Sequence, residues 1–128
     1  MDYETDSYPT LGLEFSNMVA ELAKNPRDIL LTIDEKKVDV LHATFGISGE
    51  AGELLDSIKK WVIYNKPLDV NNIYEELGDI EFYLEQLRQS LHIAREDTLE
   101  QTITKLRKRY PSGYTDEHAQ ERLDKIGE

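Results

Sequence analysis

The sequence predicts an all-α protein. Three observations carry that reading: apolar residues recur at three- and four-residue spacing, no run alternates as a strand would, and Pro9, Pro26, Pro67 and Pro111 cut the periodic stretches into segments. A length of 128 residues fits one domain with its own core, so 1–128 is read as a single domain.

The first helix is expected from about Gly12 to Lys24, with Leu11, Phe15, Met18 and Leu22 on one face and Asn25-Pro26 ending it. A less regular link, "PRDILLTID", follows. Asp34 has the side chain of an N-cap for a second helix reaching about Tyr64. Val40, Ala43, Ile47, Ala51, Leu54, Ile58 and Trp61 form one apolar row on it, and Val38, Leu41, Phe45, Leu55 and Val62 form another. Together they cover more than half the circumference, too wide for a helix packed on one side only. At about 45 Å such a helix is also long for a compact chain whose radius of gyration is near ~14 Å. Both features predict a central helix in a homo-oligomer, a dimer or tetramer, with four-helix-bundle-like packing.

"NKPLD" reads as a turn before a third helix from about Val70 to Ala94. There Val70, Ile73, Leu77, Ile80, Leu84, Leu87 and Leu91 repeat as a bundle seam. A fourth helix is expected from around Asp97, with Asp97 and Glu100 as a capping-box-like pair and Leu99, Ile103, Leu106 and Tyr110 facing inward. The polar tail from Pro111 is read as loosely ordered or docked on a partner.

Composition narrows the function classes. A net charge of −11 opposes nonspecific binding to nucleic acid or anionic membranes, which needs a basic surface. The absence of cysteine removes disulfides and thiolate metal sites, so any metal must be held by oxygen or histidine. Apolar runs are only a few residues long and the opening "MDYETDSYPT" is acidic, so the expectation is a soluble, cytoplasmic protein. Positive charge concentrates in "KLRKRY", residues 105–110. It reads either as a solvated helix end favoured by the dipole or as an anion-binding cluster.

The stretch "GISGEAGELLDSIKK" places three glycines in a helix, although each costs roughly 1 kcal/mol relative to alanine. His42, Gly46, Gly49, Glu50, Glu53, Ser57 and Lys60 fall on one polar arc, so Gly46 and Gly49 would clear a wall beside Glu50 and Glu53 for a bulky ligand. Gly52 faces the apolar rows and is expected to permit close helix packing. On the third helix Asn72, Glu76, Asp79, Tyr83 and Gln86 share a face, expected opposite the leucine seam. In an antiparallel hairpin, Glu53 and Asp79 stand about 16 and 14 Å from the turn. Four carboxylates at one height repel unless a cation joins them. Hard oxygen ligands suit Mg²⁺ or Mn²⁺, and magnesium is commonly shared with substrate phosphates. Each element also has a plainer reading: solvated surface for the acidic pairs, a packed or capping residue for His42, a core aromatic for Tyr83 and a solubilising lysine for Lys60.

"GEAGELLDSIKK" and the following "YEELGDIEFYLEQL" resemble the all-α MazG-like nucleoside triphosphate pyrophosphohydrolases, whose motif is ExxE on one helix and ExxD on the next. Glu50 and Glu53 match the first pair, Glu76 and Asp79 the second. The resemblance runs over roughly residues 38–114, including "KLRKRYPSGY", and is closest to the small single-domain members of phages and bacteria. Gly49 stands where the fuller motif often has a further glutamate; some members, the dCTP-pyrophosphatase-like ones among them, are similar in having glycine there. The resemblance implies hydrolysis of a (d)NTP at the α,β phosphoanhydride to a monophosphate and pyrophosphate. It implies Mg²⁺ on Glu50, Glu53, Glu76 and Asp79, with Glu53 or Glu50 as base. Lys60, Lys105, Lys108 and Arg109 would meet the pyrophosphate and Tyr83 would stack on the base. Two other classes compete with this reading. A di-iron bundle needs Glu-x-x-His pairs, and none of His42, His92 and His118 has a glutamate three residues earlier. A non-catalytic acidic interaction module would tolerate loss of Glu53 and Asp79.

Overall fold

The computed structural model describes residues 10–125; the acidic start through Pro9 and the last three residues lie outside that range. The elements are α1 (Leu11–Leu22), α2 (Pro26–Leu30), α3 (Glu35–Val62), α4 (Val70–Leu91), α5 (Arg95–Arg109), α6 (Asp116–Glu121) and a closing 3-10 turn, Leu123–Lys125. No β-strand occurs among the described residues; Pro111 and Gly113 form only an isolated bridge. The all-α expectation therefore holds.

The chain divides at Asp34 into two compact units. In the first, Thr10 caps α1 by accepting from the Leu13 N–H at 3.2 Å. The stretch expected to be a loose link contains α2. Asn25 accepts from the Arg27 N–H at 3.0 Å, and Pro26 occupies the first helical turn, where its missing donor costs nothing.

The second unit is built on the α3–α4 hairpin, its most extensive packing. At 28 residues, α3 is about 42 Å long. Asp69 caps α4 through the Asn72 N–H at 3.1 Å. The helix stops at Leu91, short of the expected Ala94, because His92 turns left-handed at φ 55 and its N–H bonds back to Arg88 and Gln89. The two apolar rows of α3 have different fates. In the first, Val40, Ala43, Ile47, Leu54 and Ile58 are covered or half-covered while Ala51 and Trp61 are exposed, and Ala43 is the one buried apolar residue among those described. In the second row, Phe45, Leu55 and Val62 are each more than 60% exposed. Nor is the α4 seam one buried stripe: Ile73, Ile80, Leu84 and Leu87 are half-buried while Val70, Leu77 and Leu91 are exposed.

α5 begins two residues before the expected start, with Ala94 at the cap and no side-chain capping bond. Asp97 lies within the first turn, where Glu96 and Asp97 complement the positive end of the dipole. Leu99, Ile103 and Leu106 are exposed within the chain, contrary to the inward orientation expected of them, and Tyr110 is half-buried. The tail folds on its own α5. Thr115 caps α6 by accepting from the His118 N–H at 3.0 Å, and Arg109 grips Asp124 with Nε at 2.8 Å and Nη2 at 3.2 Å.

Candidate metal centre

The helical periods of α3 and α4 decide which residues meet. α4 turns Asn72, Glu76, Asp79, Tyr83 and Gln86 toward α3, alongside its half-buried aliphatics. Cross-helix bonds fasten the hairpin at both ends of this stripe. Near the turn, the Asn72 amide donates to Ser57. Toward the far end, Asp39 accepts from Gln86 at 2.9 Å and from the Ser90 hydroxyl.

Between these fastenings, Glu50 of α3 and Glu76 and Asp79 of α4 bring one carboxylate oxygen each within 4.8 Å of the others. Glu76 is only 6% exposed, and Oε2 of both Glu50 and Glu76 is buried without a hydrogen-bond partner. Unpaired buried carboxylate oxygens are costly. The cluster relieves itself in part by holding a proton. Glu76 is pushed from its ordinary 4.5 up to about 7, first by sharing a proton with Glu50, then by burial and by the charges of Glu53 and Glu50. A hard divalent cation would satisfy the same oxygens without that proton, so the residues present fit Mg²⁺ or Mn²⁺.

Glu53 stands outside this three-residue set and is exposed, although near enough to shift Glu76. It lines a cleft of about 490 Å³ beside the cluster, together with Gly49, Gly52, Lys60, Asn72 and Glu76. Lys60 pairs with Asp56 at 3.0 Å on the cleft wall. The glycines exchange their expected roles. A Cβ at Gly52 would meet nothing within 4 Å, and Gly52 opens the cleft instead of admitting a helix. Gly49 is open as expected. At Gly46, an added Cβ would fall on the Tyr83 ring, so this position receives a side chain, not a ligand. Tyr83 also makes edge-to-face contacts with His42 at 6.0 Å and Phe82 at 5.2 Å.

The basic residues of α5 line a different cleft from the one beside the Glu50, Glu76 and Asp79 set. Lys105 and Lys108 line a second cleft of about 1000 Å³ with Ile93, Asp97, Glu100 and Asp124. Arg109 is committed to Asp124, whose carboxyl it holds at about 2. Sequence reasoning missed Asp39, Asp56, Ser90 and Asp124. The spacing of Asp56 to Lys60 is a legible helical pair; the hydrogen bonds of the other three reach 15 or more residues along the chain, although Asp124 also lies 3.7 Å from Arg122.

Fold and site together define an all-α protein with a two-helix carboxylate centre suited to a hard divalent cation. The family model of the MazG nucleotide pyrophosphohydrolase domain matches residues 40–114, which include Glu50, Glu53, Glu76 and Asp79, and the chain belongs to that family. No curated protein and no solved structure matches it.

Proposed function

We propose that the protein is a Mg²⁺-dependent nucleoside triphosphate pyrophosphohydrolase, the whole chain acting as one catalytic domain. It would convert a (d)NTP into the (d)NMP and pyrophosphate, with Mn²⁺ as a substitute ion. One observation carries the reading. Carboxylates from two helices converge within 4.8 Å and leave two buried oxygens unpartnered beside an open cleft. Among the described residues no helix is long and apolar enough to cross a membrane.

Glu50, Glu76 and Asp79 hold the cation, and Glu53 adjoins the set from the cleft side. A divalent ion held there would supply charge neutralisation for the phosphate oxygens and make the phosphorus more open to in-line attack. Glu53 is the better placed of the two base candidates, since it lines the cleft while Glu50 is engaged with Glu76. Its carboxylate takes a proton from the attacking water as the bond between the α-phosphorus and the bridging oxygen breaks. Lys60, released from Asp56, meets the departing pyrophosphate. Lys105, Lys108 and, if released from Asp124, Arg109 would supply further positive charge from a neighbouring copy. Tyr83 would offer stacking surface to the base.

The exposed second row of α3 supports a homodimer or homotetramer, in which hairpins of two copies complete a four-helix bundle. Such a protein works in nucleotide metabolism in the cytoplasm and needs neither nucleic acid nor membrane. The test is pyrophosphate release from a panel of unmodified and modified nucleotides with Mg²⁺. Release should occur with at least one nucleotide and vanish with Glu53→Gln or Asp79→Asn. A folded, metal-supplied protein silent on the whole panel would instead be a non-catalytic interaction module.

A further inference from the structure

Gly46 precedes Glu50 by one helical turn, and Tyr83 follows Asp79 by one turn. In the antiparallel hairpin the two meet at one level, directly beyond the carboxylates. No room for a Cβ remains at Gly46, because the Tyr83 ring occupies it. Elsewhere on the two helices the situation differs: added Cβ atoms at Gly49, Gly52 and Gly78 would meet nothing within 4 Å. The ring is braced by His42 and Phe82, and His42 lies 3.5 Å from the Gln86 amide that bonds Asp39. An aromatic ring occupying the place of a missing Cβ fixes how near the two axes stand, since axial separation follows the side chains at the contact. The neighbouring carboxylates repel and push the other way.

We propose that Gly46 and Tyr83 form a spacer, a positioning pair that sets the approach of α3 to α4 and thereby the affinity of the carboxylate centre for its cation. The proposal rests on the metal reading above. Neither residue need touch the ion. Gly46 is present because only a residue without a side chain admits the ring, which explains a helix-interior glycine that opens no cleft.

The test is Mn²⁺ affinity of the full chain, read by electron paramagnetic resonance of the free ion, with circular dichroism to confirm folding. Gly46→Ala should weaken Mn²⁺ binding roughly tenfold or more, the range of outer-shell perturbations, whereas Gly78→Ala should leave it unchanged. Tyr83→Ala should also weaken binding, Tyr83→Phe should restore it, and Gly46→Ala added to Tyr83→Ala should cost nothing further because the ring it strikes is gone. Unaltered Mn²⁺ affinity in both Gly46→Ala and Tyr83→Ala would overturn the spacer while leaving the metal reading intact. Should Gly46→Ala fail to fold, the comparison of Tyr83→Ala with Tyr83→Phe decides alone. A wild-type protein that binds no Mn²⁺ would remove the metal reading and the spacer with it.

Discussion

The proton on Glu76 makes a quantitative prediction. Its carboxyl is raised from 4.5 to about 7 by Glu50, burial and Glu53, and a cation binds only the ionised form. If that single proton must leave, the apparent affinity scales with the ionised fraction. Affinity is then nearly full at about pH 8, halved near 7 and about 100-fold weaker at about pH 5. A glutamate left at its ordinary value would lose only about 1.3-fold over the same span. Stability without metal runs the other way. A folded-state value above the unfolded one contributes stability that is fully present below 4.5 and is lost as pH rises through about 7. The metal-free protein should therefore melt at a lower temperature at pH 8 than at pH 5.5, and Mg²⁺ should restore the loss. Titration calorimetry with Mn²⁺ in buffers of different ionisation enthalpy measures the affinity and the proton release, close to one proton per ion near pH 6, and a thermal melt measures the stability. In Glu76→Gln the pH slope should disappear along with much of the affinity. Affinity that stays level between pH 5.5 and 8 in the wild type, without proton release, would refute the reasoning.

Three further outcomes follow from other parts of the molecule. Glu50→Gln should lower metal affinity by more than the ~10–100-fold typical of outer partners and abolish pyrophosphate release while helicity is retained. Gly52→Ala should stabilise α3 by up to about 1 kcal/mol, visible as a higher melting temperature. It should also raise KM for the nucleotide, because the added methyl enters the cleft. Asp124→Asn should lower the melting temperature by loosening the tail from Arg109. Because the Asp124 carboxyl is held at about 2, its contribution is present above 3.8 and lost as pH falls through about 2; the variant should lack that acid-induced loss in calorimetry.

Much of the site was legible because a helix is a ruler with a fixed turn. Glu50 and Glu53, and likewise Glu76 and Asp79, lie three residues apart, and equal distances from the "NKPLD" turn place the pairs at one height. Periodicity gives an angle and a height, but it does not say which neighbour fills a face. Hence periodicity assigns Gly46 and Gly52 each other's kind of role, although the cost of a glycine at either position is legible. The start of α5 is ambiguous in sequence because the spacing of Asp97 and Glu100 resembles a cap without being one. Asp97 satisfies the dipole inside the first turn while Ala94 holds the cap position.

From its letters alone the chain commits to helices, an acidic surface, the absence of thiol chemistry and two carboxylate pairs carried on adjacent helices. All of these depend on residue type and local spacing. Packing decided that Glu50, Glu76 and Asp79 form the tight set while Glu53 borders the cleft, that Tyr83 sits on Gly46, and that Arg109 ties down the tail through Asp124. Those choices turn on ångström-scale separations between segments far apart in the chain, and such separations follow from how side chains fill space together, a property no single stretch of sequence contains.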